Sequence, residues 1–90
     1  MMLHCYSINI SGKVQGVGFR YNTLRKAKEL RLCGFVRNNY DGSVGIEVEG
    51  ANEMLKLFID WCRKGPEYAV VKSINITETN LKAYPEFEIR

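Results

Sequence analysis

The spacing of apolar residues along this chain switches back and forth between a period of two and a period of about 3.6, and the order of the switches admits few folds. From Leu3 to Ser11 the alternation puts Tyr6, Ile8 and Ile10 on one face, which reads as a strand. From about Arg20 to Leu32 there is no glycine or proline, and Leu24, Ala27 and Leu30 recur at helical spacing, with Lys and Arg on the outer side. Gly34 to Asn39 reads as a second strand, and Asp41-Gly42 within "NYDGS" is a hairpin signal. Val44, Ile46 and Val48 then alternate with Gly45, Glu47 and Glu49 in a half-buried third strand. Asn52 is placed to cap a second helix, with Glu53 in its first turn. Met54 and Leu55, Phe58, then Trp61 and Cys62 form its apolar stripe, and Gly65-Pro66 stops it. Val70 to Thr79 reads as a fourth strand, and Phe87 with Ile89 as a short fifth. No linker, internal repeat or low-complexity segment interrupts the series.

The order β-α-β-β-α-β, with a tail strand, predicts an α+β ferredoxin-like sandwich: two helices on one face of a mostly antiparallel sheet of four or five strands. The first β-α-β unit should cross over right-handed, so strands one and two run in the same direction and end at the same sheet edge. That brings the segment after strand one next to Asn38, late in strand two.

Ninety residues are enough for one compact domain with a single core, and residues 1–90 are read as one unit. A net charge of +3 suits small anions and is weak evidence for a nucleic-acid partner. The opening "MMLHCYSINI" lacks a basic region before a long apolar run, and no stretch approaches the ~18 consecutive apolar residues of a membrane span. Cys5, Cys33 and Cys62 are odd in number and widely spaced, outside any C-x-x-C, and read as reduced thiols. A cytoplasmic protein is the expectation.

Within "SGKVQGVGFRYN", Ser11 to Asn22, three glycines (Gly12, Gly16 and Gly18) precede Arg20, where the first helical pattern begins. Glycines let successive backbone N–H groups turn inward and let a ligand approach without obstruction by Cβ. A loop of this kind feeding a helix N-terminus is an anion site, and Arg20 adds a fork for two phosphate oxygens. Together they suit a phosphate dianion without a metal. Alternatively, Gly16 and Gly18 merely form a tight turn and Arg20 is solvated. The segment is neither a Walker A loop, since no Gly-Lys-Ser/Thr follows, nor the dinucleotide fingerprint, whose glycine spacing differs. Gln15 either orients the loop or touches substrate. Asp41 is assigned to the hairpin turn, His4 to a structural role, and Arg25, Lys26, Lys28 and Arg31 to a solvated helix face.

"GKVQGVGFR" and "GFVRNNYDGSV" resemble the two signature segments of the acylphosphatase family. The likeness runs on through "EG" at 49–50, "GPEYAVV" at 65–71 and the terminal "FEIR". It implies a cytoplasmic enzyme of ferredoxin-like fold that hydrolyses the carboxyl-phosphate bond of a small acyl phosphate, without metal or cofactor. It also implies that the backbone from Gln15 through Gly16, Val17 and Gly18 to Phe19 binds phosphate, that Arg20 clamps it, and that Asn38 positions the attacking water. Inorganic phosphate would be product and inhibitor, and a monomer without membrane or nucleic-acid partners is expected.

There is one visible departure from the family's pattern. Its first helix commonly ends in Leu-Gly-Leu, whereas this chain has Leu30-Arg31-Leu32. If position 31 needs a left-handed backbone, arginine there costs roughly 1 kcal/mol relative to glycine, a charge on local stability and not on chemistry. Phe35 stands where tryptophan is frequent, a change a core should tolerate.

The chemistry is consistent with these residues taken alone. An alkyl phosphate would need an acid to protonate its leaving alkoxide, whereas an acyl phosphate releases a carboxylate that is stable near neutral pH. Two rivals share the fold or the loop: a non-catalytic phosphate-binding regulatory domain, and an RNA-binding module. The latter displays stacking aromatics on its third strand, and "SVGIEVEG" has none.

Overall fold

The computed structural model describes residues 2–90. Its elements are β1 (Leu3–Lys13), α1 (Phe19–Glu29), β2 (Cys33–Asn38), β3 (Val44–Ala51), α2 (Asn52–Lys64), β4 (Val70–Thr79) and β5 (Phe87–Ile89). They form one sheet in the order β4-β1-β3-β2-β5. β3 pairs antiparallel with both β1 and β2, so those two strands run in the same direction, as the crossover argument requires. β4 is antiparallel to β1, and β5 runs parallel to β2. The predicted ferredoxin-like sandwich is the observed fold.

Alternation decides which side chains meet the helices. Ile8 and Ile10 of β1, Val36 of β2, and Val44, Ile46 and Val48 of β3 are buried beneath α1 and α2. Leu55, Phe58 and Cys62 of α2 close the core from above, with Phe19 and Ala27 of α1. All three cysteines are free, and burial pushes the thiols of Cys5 and Cys62 above their ordinary pKa. No helix among the described residues is long and apolar enough to cross a membrane.

Boundaries shift where the chain turns. β1 continues past Ser11 because, beyond a bulge between Ser11 and Gly12, Gly12 and Lys13 still pair with Val71 and Val70. α1 ends at Glu29, short of the predicted Leu32. Arg31 N–H bonds the Lys28 carbonyl at 3.1 Å and Leu32 N–H bonds the Ala27 carbonyl at 2.8 Å, the two bonds of a Schellman ending. Arg31 sits at its left-handed position, with φ of 57°. Ala51, and not Asn52, flanks the start of α2, and no side chain caps it. The backbone N–H of Asn52 donates instead to the Met2 carbonyl at 3.3 Å.

Phe35 is buried, but on the face of the sheet away from the helices, opposite Glu47 in the β2–β3 register. Tyr84 meets its ring edge-on and the Arg90 guanidinium lies 4.4 Å from its centroid. The hairpin joining β2 to β3 is longer than a two-residue turn. Asn39 N–H donates to the Ser43 carbonyl at 2.9 Å and Gly42 N–H to the Asn39 carbonyl at 3.2 Å.

Candidate active site

The stretch between β1 and α1 is an irregular loop that ends at Gly18, the residue flanking the helix start. Gly16 and Gly18 both take left-handed conformations, with φ of 73° and 75°, which L side chains rarely adopt. A Cβ added at Gly16 would meet no protein atom within 4 Å, so the loop presents bare backbone to open space there. The first intrahelical bond runs from Asn22 N–H to the Gly18 carbonyl at 3.1 Å. The N–H groups of Gly18, Phe19, Arg20 and Tyr21 therefore have no intrahelical acceptor. No acidic residue occupies the first turn to offset the positive end of the helix dipole. The side chains beneath are committed elsewhere: Asn22 Nδ2 bonds the Gly18 carbonyl at 2.8 Å, and Thr23 Oγ1 the Phe19 carbonyl at 2.7 Å.

This loop and the end of β2 share one cavity of about 260 Å³. Gly16, Gly18, Phe19 and Arg20 line one side and Asn38 another, so residues distant in sequence are brought together. Arg20 is exposed, and its guanidinium can meet a ligand without shedding a protein partner. Asn38 is half-buried, and its Oδ1 is buried without a hydrogen-bond partner. A buried polar atom without any donor costs about 1–3 kcal/mol, and in the cavity wall a water or ligand can supply the donor that the protein does not.

The remaining loop residues contribute differently. Phe19 packs its ring 5.6 Å from that of Trp61 and is buried, so its part in the site is backbone. Val17 packs against the core. The side-chain amide of Gln15 donates to the carbonyls of Asn39 and Ser43, at 2.8 and 2.9 Å, and is not in the cavity wall. Val14, Tyr21 and Ile89 complete the wall. Val14 and Ile89 were not foreseen from sequence. Ile89 arrives because β5 pairs with β2 in parallel, setting it level with Val36 on the strand that carries Asn38. No local pattern announces that pairing.

The wall contains no carboxylate, histidine or thiol. Among the described residues, no group of three or more His, Cys, Asp or Glu side chains is placed to hold a metal. Asp41 lies in the nearby turn, where the hydroxyl and then the backbone N–H of Ser43 hold its carboxyl below the usual range. It is a turn residue, as expected. The site can therefore offer oriented donors and a fixed positive charge, not proton exchange near neutral pH.

The acylphosphatase family model matches residues 6–89. The chain is 47% identical to the acylphosphatase of Moorella thermoacetica over 81 residues, covering 90% of this chain and 87% of the relative. Its fold superposes on the acylphosphatase structure from Bacillus subtilis with a TM-score of 0.94 at 38% identity, covering 99% of each chain. The acylphosphatase structure from Coxiella burnetii gives the same TM-score at 35% identity, covering 98% of this chain and 93% of that one. Both signature segments lie in the matched region and converge on one cavity, and on this agreement of sequence, fold and relatives the chain belongs to the acylphosphatase family.

Proposed function

We propose that residues 1–90 work as a single unit that hydrolyses small acyl phosphates to carboxylate and inorganic phosphate. The phosphoryl group is held by the backbone of the loop from Gln15 to Phe19 and clamped by Arg20, and Asn38 delivers the water. Family membership supports the reaction. The observation that supports the roles is the convergence of unpaired helix N–H groups, Arg20 and Asn38 on one cavity whose wall has no carboxylate, histidine or thiol.

The steps follow from those groups. Loop amides and Arg20 neutralise charge on the non-bridging oxygens, where a loose transition state concentrates it. The Asn38 amide orients a water for attack on phosphorus. The P–O bond to the acyl group breaks, and its electron pair leaves as a carboxylate that needs no proton. The attacking water gives a proton to a phosphate oxygen of the substrate itself, so no side-chain base is required. The fixed charges supply the neutralisation that a divalent cation would otherwise give. The same reading has the enzyme acting as a cytoplasmic monomer, with inorganic phosphate as product and inhibitor and no nucleic-acid partner. The rival readings are not favoured. On the sheet face that an RNA-binding module would use, Phe35 lies covered by Tyr84 and Arg90.

The test is hydrolysis of a small aryl acyl phosphate such as benzoyl phosphate in the presence of EDTA, with inorganic phosphate as competitor. Turnover is expected to be insensitive to the chelator and competitively inhibited by phosphate. A rate abolished by EDTA and restored by Mg²⁺ would show that a ligand set takes part. Binding of phosphate without any turnover would favour a regulatory domain.

A further inference from the structure

Gln15 belongs to the loop, yet its side chain points to the neighbouring hairpin. Nε2 donates to the Asn39 carbonyl at 2.8 Å and to the Ser43 carbonyl at 2.9 Å. An amide nitrogen carries two hydrogens, so neither is left for a ligand. Both acceptors sit at the neck of the β2–β3 hairpin. Asn39 directly follows Asn38, and Ser43 directly precedes Val44, the residue opposite Asn38 in the register.

The neck is itself braced. Asn39 N–H reaches the Ser43 carbonyl at 2.9 Å. Asn39 Nδ2 bonds Asn9 Oδ1 of β1 at 3.1 Å and Ser43 Oγ at 3.0 Å, and Ser43 Oγ donates to Asp41 at 2.5 Å. The loop is thereby fastened to a rigid strap across the end of β2. Asn38 makes no side-chain hydrogen bond of its own through Oδ1, so its place relative to the loop depends on its backbone.

We infer that Gln15 is a positioning residue for the hydrolysis: its amide clamps the phosphate-holding loop to the hairpin neck and so fixes the distance between the phosphoryl group and the water on Asn38. The inference rests on the roles proposed above for the loop and Asn38. With both Nε2 hydrogens held by the hairpin carbonyls, the side-chain N–H groups of Gln15 do not reach the phosphate. Loosening the clamp leaves loop amides and Arg20 able to bind phosphate, while the water is no longer held in line.

The test is a double-mutant cycle between Gln15→Met and Asn38→Ala, reading kcat and the affinity for inorganic phosphate separately. Misplacement of reacting groups by ~1 Å costs on the order of 10²-fold, so Gln15→Met should lower kcat by roughly 10- to 100-fold. Phosphate affinity should stay within about twofold of wild type, since uniform binding is untouched. In the Asn38→Ala background the same substitution should cost less than about threefold, because the group it positions is already gone. Gln15→Asn, one methylene shorter and able to reach one carbonyl at a time, should give a smaller loss with the same signature, and serves if Gln15→Met does not fold. Additive losses, or phosphate affinity falling in step with kcat, would overturn the clamp while leaving the proposed site standing. Normal turnover in folded Asn38→Ala would overturn the proposed site and the clamp with it.

Discussion

Arg20 and Asn38 line the same cavity but are placed for different work. Arg20 is exposed beside the loop amides, and in the proposed mechanism it meets phosphate charge in both ground and transition states. Its replacement by Ala should lower kcat/KM by about 10²–10³, the usual effect of removing one preorganised donor, and should also weaken inorganic phosphate. Asn38 lies across the cavity at the end of β2, with an amide that no protein group engages through Oδ1. Asn38→Ala should lower kcat strongly and leave phosphate binding near wild type. Steady-state kinetics paired with phosphate titration, followed by NMR amide shifts, checks both. Shifts should centre on residues 15–20, with a smaller response near Asn38. Loss of phosphate binding in Asn38→Ala but not in Arg20→Ala would reverse the two roles.

Helix α1 is finished differently at its two ends. Its N-terminus is left without a side-chain cap or an acidic first turn, which weakens the helix but leaves its N–H groups open to an anion. Its C-terminus carries a complete Schellman pair of hydrogen bonds, closed over buried Ala27 and Leu32. The left-handed residue at that end is Arg31, with φ of 57°. Its Cβ crowds the backbone where glycine would not, so Arg31→Gly should stabilise the fold by roughly 1 kcal/mol. For a chain of this size that corresponds to a rise in Tm of about 4–8 °C, read by thermal denaturation. Activity should not change, since Arg31 lies at the end of α1 away from the cavity. An unchanged or lowered Tm would mean that the arginine side chain makes up the backbone strain through its own contacts.

At the scale of the molecule, the sheet is covered on one face by helices and on the other, in part, by the segment from Asn80 to Glu86. Glu49, buried in β3, accepts backbone N–H bonds from Lys82 at 2.9 Å and Tyr84 at 2.6 Å. Beside it Glu47 accepts the Tyr84 hydroxyl at 2.5 Å and pairs with Lys82 Nζ at 2.7 Å. Burial pushes the Glu47 carboxyl up, but the hydrogen bonds from Lys82 and Tyr84 outweigh it and leave the pKa lowered. A carboxyl lowered in the folded state adds stability above its unfolded pKa, and loses it as pH falls through the folded value. Glu47→Gln should therefore destabilise by about 1–2 kcal/mol near pH 7, and the gap to wild type should close below the ordinary carboxylate range. Urea unfolding at pH 7 and at pH 3 measures the gap, and a constant difference would discount the ionised carboxylate. Burial, then Glu47, pushes the Tyr84 hydroxyl up to about 12. Its contribution should accordingly persist up to pH ~10, the unfolded value, and fade as pH rises towards 12.

Period and punctuation in the sequence determined the elements, their order and the side of each strand that meets the helices, because these depend on residues a few positions apart. Ile8, Ile10, Val44, Ile46 and Val48 could be assigned inward by alternation alone, and they are inward. The fold class followed, since six such elements in that order have few ways to bury their apolar faces. The glycine-rich loop and Arg20 could be named in advance as a candidate anion site for a similar reason, since left-handed backbone and fixed charge are properties of residue type; Asn38 was singled out by the family resemblance and the strand topology. Other features needed the folded chain. The sequence left Gln15 between two roles, and only the hairpin neck beside the loop shows which carbonyls its amide meets. Ile89 reaches the cavity through a parallel pairing whose partner strand lies far back in the chain. Phe35 reads as core, yet the alternation of β2 turns it to the far face, where the returning segment covers it. Arg31 looked like the last turn of a helix, but bonds spanning from Ala27 to Leu32 end the helix before it. In each case the deciding interaction joins groups that the chain order holds apart, and it exists only once loop, strand and returning segment are packed together.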